Sequence, residues 1–281
     1  MRLREALGKR ENYVGAIRHP LFTLKKLFGI AHAYHFDAYV DRYCAAVLKV
    51  ARDRPVPNLI TGSISAVFGD SDRRREAEIF RRHGSDKSAK HDYYLVYSRL
   101  IEAFVARPSK LVEVGLGTNN VTIKSSMGLY GTPGASLRAF RELLPQARIY
   151  GGDIDRNILF QEDRISTSFV DQTDPTTLRD FARWCGDGID LFIDDGLHEP
   201  DGNFSTAAAM LDRLAPDGVY VCEDILERYL GLWIAFAALL PHRQCYLLKS
   251  SSRDSEHIFV SAPRQLHEWT PPELPDREAG S

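Results

Sequence analysis

Cysteine is scarce and scattered: Cys44, Cys185, Cys222 and Cys245 are the four in 281 residues, and no two form a C-x-x-C pair. That spacing excludes a disulfide framework and a cysteine-rich zinc site, and reads as reduced thiols in a cytoplasmic protein. Net charge is nearly absent as well. A formal −2 gives no global field to draw in nucleic acid or an anionic membrane surface. No stretch approaches the ~20 apolar residues of a membrane span, and the opening "MRLREALGKREN" lacks the apolar core of a secretory signal. What is present is ordinary: 44% hydrophobic and 26% charged residues, the composition of a globular protein. The length suits one large domain, or one domain plus an accessory segment.

Charge is unevenly placed, since residues 1–54 hold 11 Lys/Arg against 5 Asp/Glu. A helical stripe of Phe36, Tyr39, Val40, Tyr43, Val47 and Val50 makes this a helical N-terminal region, 1–56, suited to oligomerisation or docking. The prolines of "DRPVPN" close it. Residues 57–108 read as mostly helical, a lid over a ligand site. From 109 to 263 the texture changes. "KLVEVG", "RIYGGDI", "TSFVDQ", "DLFIDD" and "GVYVCED" are short apolar runs, each ending at an acidic or glycine turn. Helical segments 137–144, 176–184 and 204–214 separate several of them. Strands alternating with helices imply a parallel sheet covered on both faces. After a helix over 226–240, "QCYLLKS" and "HIFVSAP" are separated by only six residues, too few for a crossover, so they pair antiparallel. The expected fold is α/β: a doubly wound, mostly parallel seven-stranded sheet with an antiparallel last strand. The proline-rich, acidic tail 264–281 reads as disordered.

In such sheets ligands bind outside the carboxyl ends of the strands, where strand order reverses. The first candidate turn, "VEVGLGTNN", has Gly115 and Gly117 but lacks the third glycine of a dinucleotide fingerprint. "GTPGAS" opens the following helix, and Asp153 lies 19 residues past Gly134, near the ~20 expected of a carboxylate that holds ribose hydroxyls. Asp153 or Asp155 could instead cap a helix. Residues 118–133 then form an insertion, a flap over the ligand. Glu113 aims a carboxylate at the same corner, which disfavours a pyrophosphate and suits a cationic sulfonium with an amino-acid tail.

At the other end, "FIDDGLH" and "VYVCEDI" bring Asp194, Asp195, Glu223 and Asp224 to one edge if their strands are neighbours. Four carboxylates repel unless a cation sits among them. All-oxygen donors suit Mg²⁺, Mn²⁺ or Ca²⁺. A facial-triad iron site needs two histidines, and only His198 lies in the motif. A hydroxyl has a pKa close to that of water, roughly 16, so a coordinated cation and a nearby histidine base are the means of activating one at neutral pH.

In this order "VEVG", "YGGDID", "FVDQTD", "FIDDGLH" and "LAPDGVYVCEDI" resemble class I S-adenosylmethionine-dependent methyltransferases. The branch they resemble is that of the metal-dependent sugar O-methyltransferases of the macrocin and mycinamicin type, and "GSDKSAKHDYY" is similar to a motif of that branch. The resemblance covers about residues 83–262. It implies Asp195, Glu223 and Asp224 as ligands of Mg²⁺ (or Mn²⁺) and His198 as catalytic base. It implies Gly115, Gly117, Ser136, Asp153, Asp171 and Gln172 around S-adenosylmethionine, with Asp171 and Gln172 on the adenine side. Asp194 would lie near the reacting methyl; Asp86, Lys87 and Tyr97 would close over the methionine end or the acceptor. The implied partners are a sugar or glycoside acceptor and a second copy of the chain in a homo-oligomer. Leu197, where the branch often has a small polar residue, and the flap sequence are departures that bear on the acceptor. Two other readings stand beside this one: an iron-dependent hydroxylase of the cephalosporin-modifying type, and a non-catalytic cofactor-binding protein.

Overall fold

The computed structural model describes residues 38–69, 73–251 and 256–263. Most of the expected N-terminal helical region, 1–37, and the expected disordered tail, 264–281, lie outside them. Helix α1 (38–53) is followed by β1 (Leu59–Ser63), α2 (Ile64–Phe68), α3 (Arg74–His83) and α4 (Tyr94–Phe104). The alternating part then runs β2 (Ser109–Val114), α5 (Ala135–Leu143), β3 (Ala147–Asp153), β4 (Gln161–Glu162), β5 (Ile165–Phe169), α6 (Pro175–Cys185), β6 (Ile189–Asp194), α7 (Pro200–Met210) and β7 (Leu214–Ile225). Helix α8 (Leu230–Ala238) and strands β8 (Gln244–Lys249) and β9 (His257–Ala262) complete the described chain.

All strands join one sheet in the order β1-β8-β9-β7-β6-β2-β3-β5-β4. β9 runs antiparallel to both β7 and β8, as the short connection requires. Among the described residues the sheet has nine strands, not seven. The seven expected strands are all present, and the two additions are edges. β4 is a two-residue pairing with β5. β1 lies parallel to β8 in a stretch read as helical. "LITGS" is too short to show a period, and it is fixed by distant partners: Asn58 Nδ2 donates to the carbonyls of Ala237, Leu240 and Arg243.

Helices cover both faces. One core packs α2, α3, α4 and α5 on Leu111, Leu191, Ile193, Val219 and Val221; the other packs α1, α6, α7 and α8 on Val112, Val114, Phe192, Tyr220 and Cys222. Alternate residues of a strand face opposite sides, and this parity governs the site. Glu113 and Glu223 continue the first face, whereas Asp194 continues the second. α1 is not a separate arm: its Val40 and Cys44 are buried in the second core. No helix among the described residues is long and apolar enough to cross a membrane.

Candidate active site

A cleft of about 1060 Å³ including its mouth opens at the carboxyl ends of β2, β3, β5 and β6. There the order reverses, with β3 on one side of β2 and β6 on the other. Gly115 and Gly117, at φ +93° and +78°, form its floor. Gly115 is required by contact as well as conformation, because a Cβ there would lie 1.9 Å from the carbonyl oxygen of Asp195. Asp153, at the end of β3, accepts from the backbone N–H of Leu116 (2.7 Å) and of Asp155 (2.8 Å), and burial raises its pKa. A carboxylate has about four acceptor positions, so Asp153 keeps capacity for a ligand in the cleft it lines. Ser136, Asp171 and Gln172 line the same half.

The flap is an ordered loop. Asn119 Nδ2 donates to the carbonyls of Gly128 and Gly131, and Ser126 Oγ to that of Thr118. It reaches across the cleft through Ser125 Oγ, which donates to the Leu197 carbonyl (2.8 Å), and through an ion pair of Lys124 with Glu199 (2.7 Å). Ile123, Lys124, Ser125 and Met127 thereby form one wall.

Strand register sets the acidic end. Ile193 pairs with Val221 and Asp194 with Cys222, so Asp195 and Glu223 fall opposite each other on the first face. The cation that these charges demand is in the chain. Lys87 is 1% exposed, and its Nζ lies 2.7 Å from Glu223, 2.8 Å from Asp195 and 3.2 Å from Glu113. Burial opposes its charge, but Asp195, Glu223 and Glu113 together outweigh burial and hold its pKa well above the ordinary lysine value. Asp195 is half-buried, and Lys87 and His198 hold its carboxyl well below the usual carboxylate range. Tyr97 donates its hydroxyl to Glu223, and Ser136 donates to Glu113 (2.6 Å).

His198 lies between the two outer carboxylates, Nε2 3.2 Å from Asp195 and Nδ1 3.9 Å from Asp224. Burial disfavours its charged form, but Asp195 and Asp224 prevail and push its pKa up to about 9. His198 and Asp224 both have left-handed backbones, at φ +57° and +55°. Such residues are uncommon outside glycine and cluster at functional sites, where surrounding contacts impose the strain. One ligand atom each from Asp195, His198 and Asp224 lie within 4.8 Å of one another. Two carboxylates and an imidazole facing one cleft form a donor set that a divalent cation fits.

Five expected placements differ. Asp194 does not face the cleft: it is fully buried on the opposite face, accepting from Gln172 Nε2 (2.7 Å) and Asn203 Nδ2 (3.1 Å). Gln172 lines the cleft, but its side chain is a brace, with Oε1 also accepting from the Leu197 N–H (2.7 Å). Asp155 caps the turn at Arg156–Ile158 and accepts from Thr118, outside the cleft lining. Glu113 lies beneath the floor with Lys87. Glu223, expected as a metal ligand, is occupied by Lys87 and Tyr97. Asp86 and Lys87 line the cleft, while Tyr97 is behind it. The buried partners Tyr93 and Asn203 went unread in the sequence, where nothing but parity and register marks them.

This arrangement, a nine-stranded doubly wound sheet with a ligand cleft at its switch point, is the class I methyltransferase fold. In the MycE methyltransferase of the mycinamycin biosynthetic pathway, solved with Mg and SAH, the same fold superposes with a TM-score of 0.53 at 22% identity, over 70% of this chain and 57% of that one. Sequence similarity leads to particular relatives. Mycinamicin VI 2''-O-methyltransferase of Micromonospora griseorubida is 35% identical over 252 residues, 85% of this chain and 59% of its own length. The 8-demethyl-8-alpha-L-rhamnosyl tetracenomycin-C 2'-O-methyltransferase of Streptomyces olivaceus is 35% identical over 163 residues, 57% of this chain and 39% of its own. The chain thus spans about two fifths to three fifths of these relatives. No protein-family model matches it. The chain therefore has the class I methyltransferase fold, and its sequence is similar to sugar O-methyltransferases of the mycinamicin, macrocin and tetracenomycin type.

Proposed function

We propose that this protein transfers a methyl group from S-adenosylmethionine to a hydroxyl of a sugar on a glycosylated natural product. The observation that carries this reading is a single cleft lined at one end by Gly115, Gly117 and Asp153 and at the other by Asp195, His198 and Asp224. The glycine end suits the nucleoside: Asp153 accepts from ribose hydroxyls, and Asp171 stands on the adenine side. Asp195 places negative charge toward a sulfonium.

At the other end His198 receives the acceptor's proton on a ring nitrogen. Asp195 orients that ring, and Lys87 keeps Asp195 ionised and fixed. Glu223 and Glu113 are positioning residues that hold the Lys87 ammonium. A Mg²⁺ ion, when bound by Asp195 and Asp224, supplies Lewis acidity to the acceptor hydroxyl. The flap and the 84–87 turn exclude water from the transfer, which needs nucleophile, carbon and sulfur in line. The relatives' names give a rhamnosyl tetracenomycin C and mycinamicin VI as what they methylate, and a deoxysugar glycoside is the acceptor class proposed here. Exposed Tyr39, Tyr43 and Val50 on α1 support a homo-oligomer built through residues 1–56, and a cytoplasmic site of action is consistent with this chemistry.

The test is incubation with methyl-labelled S-adenosylmethionine, Mg²⁺ and a panel of rhamnosylated and macrolide glycosides. Label recovered on a sugar hydroxyl by mass spectrometry is the expected result. Turnover that needs iron and oxygen instead, with no label transferred, would replace this reading with the hydroxylase. Among the described residues no group of two histidines and a carboxylate converges as a candidate metal site, so the facial triad lacks a framework.

A further inference from the structure

A second group of potential ligands stands behind the first, on the far side of Asp224. His91 follows the tight turn that carries Lys87, Asp224 ends β7, and Glu256 precedes β9. One ligand atom from each of the three lies within 4.8 Å of the others. His91 is 8% exposed and its ring stacks on Tyr93 at 4.6 Å, so its direction is fixed. Its Nδ1 is fully buried and makes no hydrogen bond, although Glu256 Oε2 is 3.4 Å away. Its Nε2 stands 3.9 Å from Asp224 Oδ1, beyond hydrogen-bond range.

Neither ring nitrogen makes a hydrogen bond to the carboxylate it faces, at 3.4 Å for Glu256 and 3.9 Å for Asp224. A cation held by all three groups would satisfy the imidazole and both carboxylates at once. We propose that His91, Asp224 and Glu256 bind a second divalent cation, with Asp224 bridging it to the cleft. An imidazole among the ligands suits a transition ion such as Zn²⁺, and Mn²⁺, which carboxylates also bind, serves as its paramagnetic stand-in. Tyr93 donates to Asp224 Oδ1 (2.8 Å), which orients the carboxylate that both sites share. The ion clips three segments together: the turn bearing Lys87, the end of β7 and the start of β9. It fixes Asp224 without entering the cleft, since neither His91 nor Glu256 lines it.

Mn²⁺ alone is the probe, titrated into the full chain and followed by the loss of the free-ion electron paramagnetic resonance signal. The expected result is two ions per chain for the wild type and one for His91→Ala, with Glu256→Gln weakening the same ion at least tenfold. Asp195→Asn should remove the other ion and spare this one. Spin-echo nitrogen modulation should persist in His198→Ala and vanish in the His91→Ala/His198→Ala pair, a signature that a packing role for His91 would not move. Circular dichroism confirms that each variant is folded, and Glu256→Gln serves if His91→Ala is not. No bound ion in the wild type, or a stoichiometry and affinity unchanged by His91→Ala and Glu256→Gln, overturns the proposal. The readout requires neither methyl donor nor acceptor, so it stands apart from the outcome of the methyl-transfer assay.

Discussion

Replacing His198 by alanine is expected to lower kcat by about 10²–10⁴-fold, the range of a lost general base, while S-adenosylhomocysteine affinity stays at the wild-type level. The split follows from the geometry. His198 contacts Asp195 and faces Asp224 at the acceptor end, whereas Asp153 and the glycine floor are supplied by other strands. The pH profile separates a base from a residue that only shapes the loop. A base must be deprotonated to act, so wild-type activity rises with pH through the His198 ionisation. His198→Ala should lose that acidic limb together with the rate. If His198→Ala keeps the limb, or loses cofactor binding in proportion to rate, the proton acceptor is another group.

The largest expected effect on stability is at Lys87. Lys87→Met leaves the buried Glu113 and Glu223, and the half-buried Asp195, around a neutral side chain, and removing one partner of a buried ion pair costs about 3–5 kcal/mol. For a chain of this size that corresponds to a fall in Tm on the order of 10 °C. Adding Glu223→Gln to Lys87→Met should recover part of the loss, because it removes one of the uncompensated charges. Glu223→Gln alone should cost less than Lys87→Met alone, since the ammonium retains Asp195 and Glu113. A loss under about 1 kcal/mol in chemical denaturation, the scale of an exposed pair, would contradict the burial of Lys87 among these carboxylates.

Much of this was legible in the chain. Short apolar runs ending at acidic turns gave the central strands, and the six-residue gap between β8 and β9 dictated antiparallel pairing. The 19-residue spacing led to Asp153, which does line the cleft. What escaped depends on register and on distant contacts. Asp194 and Asp195 are adjacent in "IDD", but strand parity sends the first into the second core and leaves the second beside Glu223. The parity was available, since Phe192 and Asp194 share one face just as Ile193 and Asp195 share the other. β1 escaped because five residues carry no period and Asn58 is anchored some 180 positions away. The sequence did call for a cation among the carboxylates. It offered no sign that Lys87, more than a hundred residues upstream of Asp195, would be that cation. Nor do "LHE" and "EDI" announce that His198 and Asp224 adopt left-handed backbones.

The most direct measurement of the central claim is calorimetric titration of S-adenosylmethionine into the protein, wild type and Asp153→Ala, with and without Mg²⁺. Micromolar binding by the wild type, at least tenfold weaker in Asp153→Ala and present with or without Mg²⁺, is the predicted result. An absence of binding under every condition, or equal binding by Asp153→Ala, would contradict a methyl-donor site in this cleft.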